Sequence, residues 1–341
     1  MSAEVESIMY AGKNEDGSQF VPWHGFGNCC GDAAVDSKIA LKESGLTWEV
    51  EKRPILTTMG GVDVTGNIQL IPDHAAIVRK TDEAVLGVVG SRWTPVQPYE
   101  MFDWTDGLVK DGMIKYHTAG SLRGGKKVWL LAQFDESVIL ADDRVGKFLF
   151  FLNGYDGAQS IIINSTAVRV VCMNTARMAL EDGRQTEIRI KHTLSVKEKL
   201  EAAKNALGIA REHSRFYDNL LHAFTRLRMT NERWTEWSNV LIPDNPTAKF
   251  HTRTENNRAR LLSLAATGRG QDIPGVAGTG YAAYNAVTEY VNYYRSSKGG
   301  DEAQERRFES AMMGSGDALV HNAVAQLDTY LKQDGIQVAA A

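Results

Sequence analysis

Two patterns of apolar and polar positions divide the chain. Up to about residue 194, short apolar or alternating runs separated by glycine-rich turns predict strands, hairpins and a few helices. After that, apolar residues recur at helical spacing, as at Leu200, Ala203 and Leu207. The pattern predicts an α+β protein, in which an N-terminal mixed or antiparallel β-hairpin sheet with packed helices is followed by an all-helical C-terminal part.

The same change of pattern predicts the domain limits. We expect a flexible arm over residues 1–21, an α+β core domain over 22–194, a helical domain over 195–335 and a tail over 336–341. Within the core domain, the predicted helices cover residues 36–44, 98–110 and 172–181. The predicted strands cover residues 48–57, 75–79, 85–89, 114–119, 127–134, 148–152, 161–163 and 186–191. In the helical domain, we expect helices at 196–228, 230–241, 250–266, 280–296 and 317–333.

The central stretch 147–180 combines an apolar strand, a tight turn at 153–157 and a β-branched return strand. A further strand bearing Arg169 is predicted to lead into a helix bearing Arg177. Buried strands that deliver polar residues to such a junction are a common way to build a site. The two arginines could contact phosphate or nucleic acid, or they could form structural ion pairs, for example with Asp156.

Composition and charge limit the function classes. Hydrophobic residues make up 43% and charged residues 23%, and no window approaches the roughly 18 apolar residues of a membrane span. The N-terminus is acidic and lacks a signal pattern, so we expect a cytoplasmic protein. The net charge of −4 argues against a basic nucleic-acid binder overall. Residues 1–110 hold 9 basic against 16 acidic side chains, but residues 113–195 hold 11 against 8, which permits a basic surface there.

The cysteine content gives no sign of a metal or a disulfide framework. The three cysteines are Cys29, Cys30 and Cys172, and CxxC spacing is absent. A zinc site that adds His24 is the alternative to reduced, partly buried thiols. We therefore predict no metal and no cofactor.

Three basic segments are candidate binding sites. The predicted hairpin turn at 121–127 carries Arg123, Lys126, Lys127 and two glycines, which suits phosphate, although P-loop spacing is absent. The alternative is an ordinary turn with solvated charges. Near the end of the core domain, Arg189 and Lys191 alternate along a strand and could follow a sugar–phosphate backbone, or they could simply be solvated.

The third basic segment lies on a predicted helix of the C-terminal part. Arg253, Arg258 and Arg260 could contact a polynucleotide, and a solvated helix face is the alternative. Three tryptophans, Trp93, Trp104 and Trp129, could stack on bases, although aromatics at the ends of elements more often belong to a core.

Motifs of known catalytic chemistry are missing from the sequence. We find no HExxH, no GxSxG and no GxGxxG between a strand and a helix, so the sequence assigns no catalytic residue and leaves open whether the protein is an enzyme. An enzyme that uses Asp142, Asp143, Asp156 or Glu181 as metal ligands remains an alternative, although these carboxylates have no recognisable spacing.

Several motifs together resemble the phage and plasmid-like domain-of-unknown-function family 932. They are WHGFGN, GSLRGGKKVW, FFLNGYDGAQS, RVVCMNT, RIKHT and GTGYAAYNAVTEYVNYY, and the resemblance covers residues 22 to 330 approximately. Tyr155 departs from it, because a histidine is expected in that turn. The resemblance implies an accessory protein of phages, prophages or plasmids, in the host cytoplasm and with a role in DNA metabolism. A sheet with basic hairpin edges backed by a helix is also similar to ring-forming single-strand annealing proteins.

We therefore expect a mobile-element DNA-binding protein, of the single-strand annealing or recombination type. It would form a homo-oligomer and hold single-stranded DNA by its backbone, without cofactor or membrane. The acidic N-terminal third favours the alternative, an accessory factor or inhibitor that binds a host defence or replication protein. A metal-dependent nucleic-acid enzyme is the third reading.

Overall fold

The computed structural model describes residues 7–11, 28–30, 36–58, 68–140, 143–169, 174–176, 187–205, 218–247, 251–295, 306–307, 310–311 and 314–339. It has two sheets, and helices dominate its C-terminal part, which confirms the predicted α+β class. Two compact units emerge. Unit 1 comprises Met1–Gln133, Leu149–Asn164 and Glu187–Leu207, and unit 2 comprises Phe134–Phe148, Ser165–Thr186 and Gly208–Ala341. The limits expected at 194/195 and 335/336 stay predictions.

The strands are β1 (Ser7–Tyr10), β2 (Asn28–Cys29), β3 (Val50–Thr58), β4 (Ile68–Arg79), β5 (Val85–Gly90), β6 (Ile114–Leu122), β7 (Lys127–Leu140), β8 (Asp143–Gly154), β9 (Ile161–Arg169), β10 (Asn174–Ala176) and β11 (Glu187–Ile190). The helices are α1 (Ser37–Glu43), α2 (Pro98–Lys110), α3 (Val196–Asn205), α4 (Asn231–Leu241), α5 (Thr252–Thr267), α6 (Gly280–Glu289) and α7 (Ser315–Gln333). Residues 218–226 are also helical, and a π-helical turn, Tyr290–Tyr294, follows α6.

The larger sheet has the order β10-β9-β8-β7-β6-β1-β2, and β11 also pairs with β9. β1 pairs antiparallel with β6, and Tyr10 lies opposite Thr118. The arm expected over residues 1–21 therefore contains a strand at Ser7–Tyr10, because backbone pairing with β6 orders these residues. Apart from Ala11, the rest of that arm lies outside the described residues.

The smaller sheet, β3-β4-β5, belongs to unit 1 and is antiparallel throughout. Arg53 pairs with both Glu51 and Glu83 on its surface. Beyond a register shift after Pro54, β3 and β4 continue as a two-stranded ribbon in which Leu56 lies opposite Leu70. Both leucines are exposed, so this ribbon adds little to the core of the unit.

Helix α2 shows how the local sequence sets an element. Pro98 occupies the first helical position, where its missing N–H costs nothing. The Gln97 backbone N–H donates to Glu100 Oε2 at 2.7 Å as part of a capping box. On the buried face, the Trp104 Nε1–H donates to the Leu200 carbonyl at 2.7 Å, which ties α2 to α3. The predicted bounds 98–110 are confirmed.

Unit 2 is built around α6. Every residue of this helix is buried, and it packs against α5 and α7. The surrounding core includes Phe224, Trp237, Leu261 and Leu327. A helix that is buried on every side needs cover all round, so α6 forms the centre of this unit.

Some predicted elements differ from the structure. The helix expected at 172–181 is wrong at Asn174–Ala176, which instead form β10 and pair antiparallel with β9, and its other residues lie outside the described part. Strands β7 and β8 are longer than predicted, because a hairpin can extend by backbone pairing without an apolar pattern. Of the long helix expected at 196–228, residues 196–205 and 218–226 are helical, and residues 206–217 lie outside the described ranges.

Candidate functional site

The segment that joins β5 to α2 is held in place by several elements of unit 1. Lys52 Nζ donates to the carbonyls of Ser91 at 2.6 Å and Trp93 at 3.0 Å. The Thr94 N–H donates to the His192 carbonyl at 3.2 Å, and His192 Nδ1 lies 3.0 Å from the Thr94 carbonyl oxygen. These contacts join the segment to β3 and to the residues that follow β11.

Two turns continue this line of hydrogen bonds. The Val96 carbonyl accepts from Asn153 Nδ2 and from the Tyr155 hydroxyl, each at 2.9 Å. The Tyr155 N–H then donates to the Lys126 carbonyl at 2.8 Å, in the turn between β6 and β7. The buried side chain of Tyr155 thus connects the turn after β8 with the segment before α2.

The turn after β8 approaches the smaller sheet closely. A Cβ added to Gly87 of β5 would contact the Tyr155 carbonyl oxygen and lie 2.6 Å from Asp156 Cα. Gly157 has φ +79°, and a Cβ there would lie 2.8 Å from the Val88 carbonyl oxygen. Glycine at both positions lets two backbones meet. The sequence pattern around 153–157 therefore reflects close packing of a turn on a strand.

Three chain segments meet at one end of the larger sheet. β6 ends and β7 begins at the 123–126 turn, β8 ends and β9 begins at the 155–160 turn, and Ile190 of β11 pairs with Ile161 of β9. Successive strands of an antiparallel sheet place such ends together. Because neighbouring strands lie roughly 4.8 Å apart, β7 and β11 are separated by about 14 Å there.

Exposed cations lie at this end of the sheet and on the adjoining segment after β5. We call this region the basic end and define it by Arg92, Arg123, Lys126, Arg189 and Lys191. Arg123 has φ +56°, which turns the chain sharply at the hairpin. Lys127 is only 7% exposed, so its side chain presents little surface to a ligand. The predicted basic turn and the predicted basic strand edge are therefore brought to the same end.

Carboxylates also lie at the basic end. Asp73 is exposed, and Asp156 Oδ1 accepts from the backbone N–H groups of Ala158 at 2.9 Å and Gln159 at 3.0 Å. Asp156 therefore caps its own turn, which is a structural use of a carboxylate that the sequence offered as a metal ligand.

A cleft of about 960 Å³ opens beside the basic end, within unit 1. It is lined by Asp73, Gly90, Ser91, Arg92, Trp93, His192, Thr193, Leu194 and Ser195. On its wall, Trp93 and His192 stack with ring centroids 4.4 Å apart and an interplanar angle of 19°. Trp93 is partly exposed and lines the cleft.

His192 is the most unusual polar group in this wall. His192 is 5% exposed, and its Nε2 is buried without a hydrogen-bond partner. The Thr94 carbonyl can only accept, so Nδ1 carries the hydrogen and Nε2 of the neutral ring is an acceptor. Burial lowers the pKa of His192 to about 4, against an ordinary histidine value of 6.5.

The three tryptophans named as candidate stacking residues differ in their exposure to solvent. Trp104 and Trp129 are 4% and 0% exposed and belong to the core. Trp104 also makes an edge contact with Phe151. Trp93 is the member of this set that a ligand could reach.

The basic residues of α5 in unit 2 have structural contacts. Arg258 Nε donates to the Ile242 carbonyl at 2.8 Å, and Nη2 lies 3.2 Å from Asp244 Oδ2. The Arg260 guanidinium lies over the Tyr294 ring, 5.3 Å from its centroid. Arg253 is exposed on the same helix.

Other candidates lie wholly or partly outside the described residues. The side chain of Arg169, at the end of β9, is not described, and neither is that of Asp143. The residues outside the described ranges are His24, Asp142, Cys172, Arg177 and Glu181. Within the described ranges, no group of three or more His, Cys, Asp or Glu side chains could hold a metal ion, and no helix is long and apolar enough to cross a bilayer.

Sequence reasoning missed Asp73 and Arg92 as site residues and gave His192 no separate role. Each of the segments 90–93 and 192–195 directly follows a strand, which is a usable signal for residues at a sheet end. Because about 100 residues separate the two segments along the chain, the sequence could not predict their contact.

Comparison with known proteins identifies a family for this chain but no individual relative. No curated protein and no solved structure matches the chain. The family model described as "Domain of unknown function (DUF932)" matches residues 85–312. Because that match covers more than half of the 341 residues, the chain belongs to the DUF932 family.

Proposed function

We propose that this protein binds single-stranded DNA by its backbone at the basic end of the larger sheet. The observation that carries the proposal is the meeting of two basic segments. The 123–126 turn and the segment after β11 reach the same sheet end, and hydrogen bonds through Tyr155, Val96 and Thr94 connect them.

The physical basis is charge and shape. Arginine and lysine side chains neutralise phosphates and release condensed counterions, a contribution that does not depend on base sequence. Proteins that hold single strands combine such a basic surface with an aromatic side chain on which bases stack. Arg123, Lys126 and Lys191 supply exposed cations, and Trp93 supplies a half-buried aromatic ring beside them.

The finer assignment is a mobile-element protein of the annealing or recombination type that works as a homo-oligomer. Annealing requires only that strands be held extended with their bases accessible. Annealing needs neither metal nor nucleotide. The exposed cations of the basic end would hold the strand, and Asp156 has a structural use because it caps its own turn. Membership of the DUF932 family is compatible with this setting and does not identify an activity.

The direct test is polarisation binding of a labelled single-stranded oligonucleotide over a salt series, with light scattering on the same sample. We expect micromolar or tighter binding that weakens steeply with salt, on an oligomer, and weaker binding of the matched duplex. A strand-annealing assay then tests the finer assignment. Absence of binding at low salt contradicts the proposal and favours a host-protein partner instead.

A further inference from the structure

We propose that the outer part of the β3–β4 ribbon in unit 1 is a contact between two copies of this chain. The contact surface is one face of the ribbon, which we call the ribbon face and define by Leu56, Thr58, Ile68 and Leu70. The inference goes beyond the proposed DNA binding, because the contact does not involve the basic end and is tested without DNA.

The strand register places these four side chains on a single face. Leu56 lies opposite Leu70, and Thr58 lies opposite Ile68. Opposite residues of an antiparallel pair point to the same side of the sheet, and residues two positions apart on one strand do so as well. The two strands therefore form one continuous surface that is made of two cross-strand pairs.

The ribbon face is largely apolar and open to solvent. The exposed fractions are 57% for Leu56, 66% for Ile68 and 55% for Leu70. Ile71, which points to the other face of the ribbon, is half-buried. A two-stranded ribbon on its own is at best marginally stable in water, so cover on its apolar face would stabilise it.

The inner part of the smaller sheet is protected by charge, and the outer ribbon is not. Arg53 pairs with Glu51 and Glu83 on the inner part. From residue 54 to residue 72, the sequence holds one charged side chain, that of Asp63. Charged side chains on exposed strands are a common defence against association with other chains, and the described part of the outer ribbon lacks that defence.

The lack of charge also identifies the partner as a second copy. A partner that is recognised by opposite charge has nothing to bind on this face. Two copies with a net charge of −4 each repel one another, and an uncharged face lets them meet without like charges in contact. Because each copy presents the same residues, the contact is isologous and closes as a two-fold dimer. The face is small beside the roughly 800 Å² per partner of a standard interface, so we expect association that depends on protein concentration.

The first test breaks the contact with charge. Light scattering over a concentration series, without DNA, should show association of the parent protein. Leu70→Lys and Leu70→Glu should each weaken this association at least ten-fold, because like charges then meet at the contact. Val240→Lys is the matched control, since Val240 is 49% exposed on α4 in unit 2 and should leave association unchanged. Unchanged thermal unfolding of each variant serves as the folding control.

The second test restores the contact. An equimolar mixture of the Leu70→Lys and Leu70→Glu proteins should recover most of the association, because opposite charges then meet across the two-fold axis. The face is only two cross-strand pairs long, so these long side chains can reach one another. Failure of the mixture to associate would overturn the inference.

A parent protein that stays monomeric at all concentrations would also overturn it. Binding of that monomer to phosphatidylcholine vesicles would then assign the ribbon face to a lipid surface instead.

The scattering series and the oligonucleotide series give independent results. If the parent protein associates without DNA but binds no strand, the proposed function fails and the ribbon contact stands. If strands bind with salt dependence to a protein that stays monomeric, the ribbon contact fails and the DNA-binding basic end stands.

Discussion

The Tyr155 hydroxyl donates a 2.9 Å hydrogen bond to the Val96 carbonyl, although the two residues are 59 positions apart. Asn153 Nδ2 donates to the same carbonyl oxygen at 2.9 Å. This junction fixes the turn after β8 against the segment that carries Trp93. The residue that departs from the histidine expected in this turn is therefore a buried structural tyrosine, and burial raises its pKa well above the ordinary value.

We predict that Tyr155→Phe lowers the free energy of unfolding by about 1 kcal/mol. The loss stays small because Asn153 continues to satisfy the Val96 carbonyl. Urea unfolding measures it, and Tyr99→Phe is the matched control, since Tyr99 is 39% exposed on α2 and should change stability by less than about 0.5 kcal/mol. Equal effects of the two changes would show that the junction contributes nothing.

Gly87→Ala should be much more costly, because the new methyl group meets the backbone of Tyr155 and Asp156 and neither can move as a side-chain tip would. We expect a loss of about 2–3 kcal/mol in the same measurement. Gly107→Ala is the control. Nothing lies within 4 Å of a Cβ there, so alanine in the interior of α2 should stabilise by about 0.5–1 kcal/mol. A neutral Gly87→Ala would contradict the close approach.

Stability should fall in mild acid because of buried histidines. Burial lowers the pKa of His192 to about 4 and that of His117 to about 3, from an ordinary 6.5. Between pH 6.5 and 4 the unfolded chain binds protons that the folded protein does not, so the free energy of unfolding decreases as the pH falls through this window. For His192 the decrease is about 3 kcal/mol in total.

Urea unfolding between pH 7 and pH 4 checks this pH dependence. His192→Phe removes one of the two histidines whose pKa is lowered by burial and leaves His117, so the variant should lose less stability than the parent over the same range. The same pH dependence in both proteins would show that His192 is not buried in its neutral form.

Arg258 of unit 2 is predicted to act in stability and not in binding. Arg258→Gln removes the bonds to Ile242 and Asp244 and should cost about 1 kcal/mol in urea unfolding. The salt dependence of oligonucleotide binding should not change. Asn256→Gln, an exposed change on the same helix, should alter stability by less than about 0.5 kcal/mol. A shallower salt dependence of oligonucleotide binding for Arg258→Gln would contradict this prediction and would indicate that α5 contacts DNA.

The sequence predicted those elements whose signals are local. Helix α2 begins at Pro98 within a capping box, so its bounds followed directly from the residues. The strand at Asn174–Ala176 could not be predicted in this way, because pairing with β9 outweighs a weak local preference.

The candidate site was only partly predictable for a similar reason. Arg123, Lys126, Arg189 and Lys191 were visible as basic positions on a turn and a strand. That they share one sheet end depends on strand order, and that Trp93 stacks on His192 depends on a contact across about 100 residues. Neither relationship leaves a pattern in the sequence.

The most direct test of the account is the salt dependence of single-strand binding by two matched double variants. Arg123→Gln with Lys126→Gln removes two cations of the basic end. Lys42→Gln with Lys110→Gln removes two exposed cations of α1 and α2, of which Lys110 lies toward the opposite end of β6. The first variant should flatten the slope of log affinity against log salt by about 1.4, since each phosphate contact to a single strand contributes about 0.7. The second should leave the slope unchanged, and equal slopes for both variants and the parent would contradict a DNA-binding basic end.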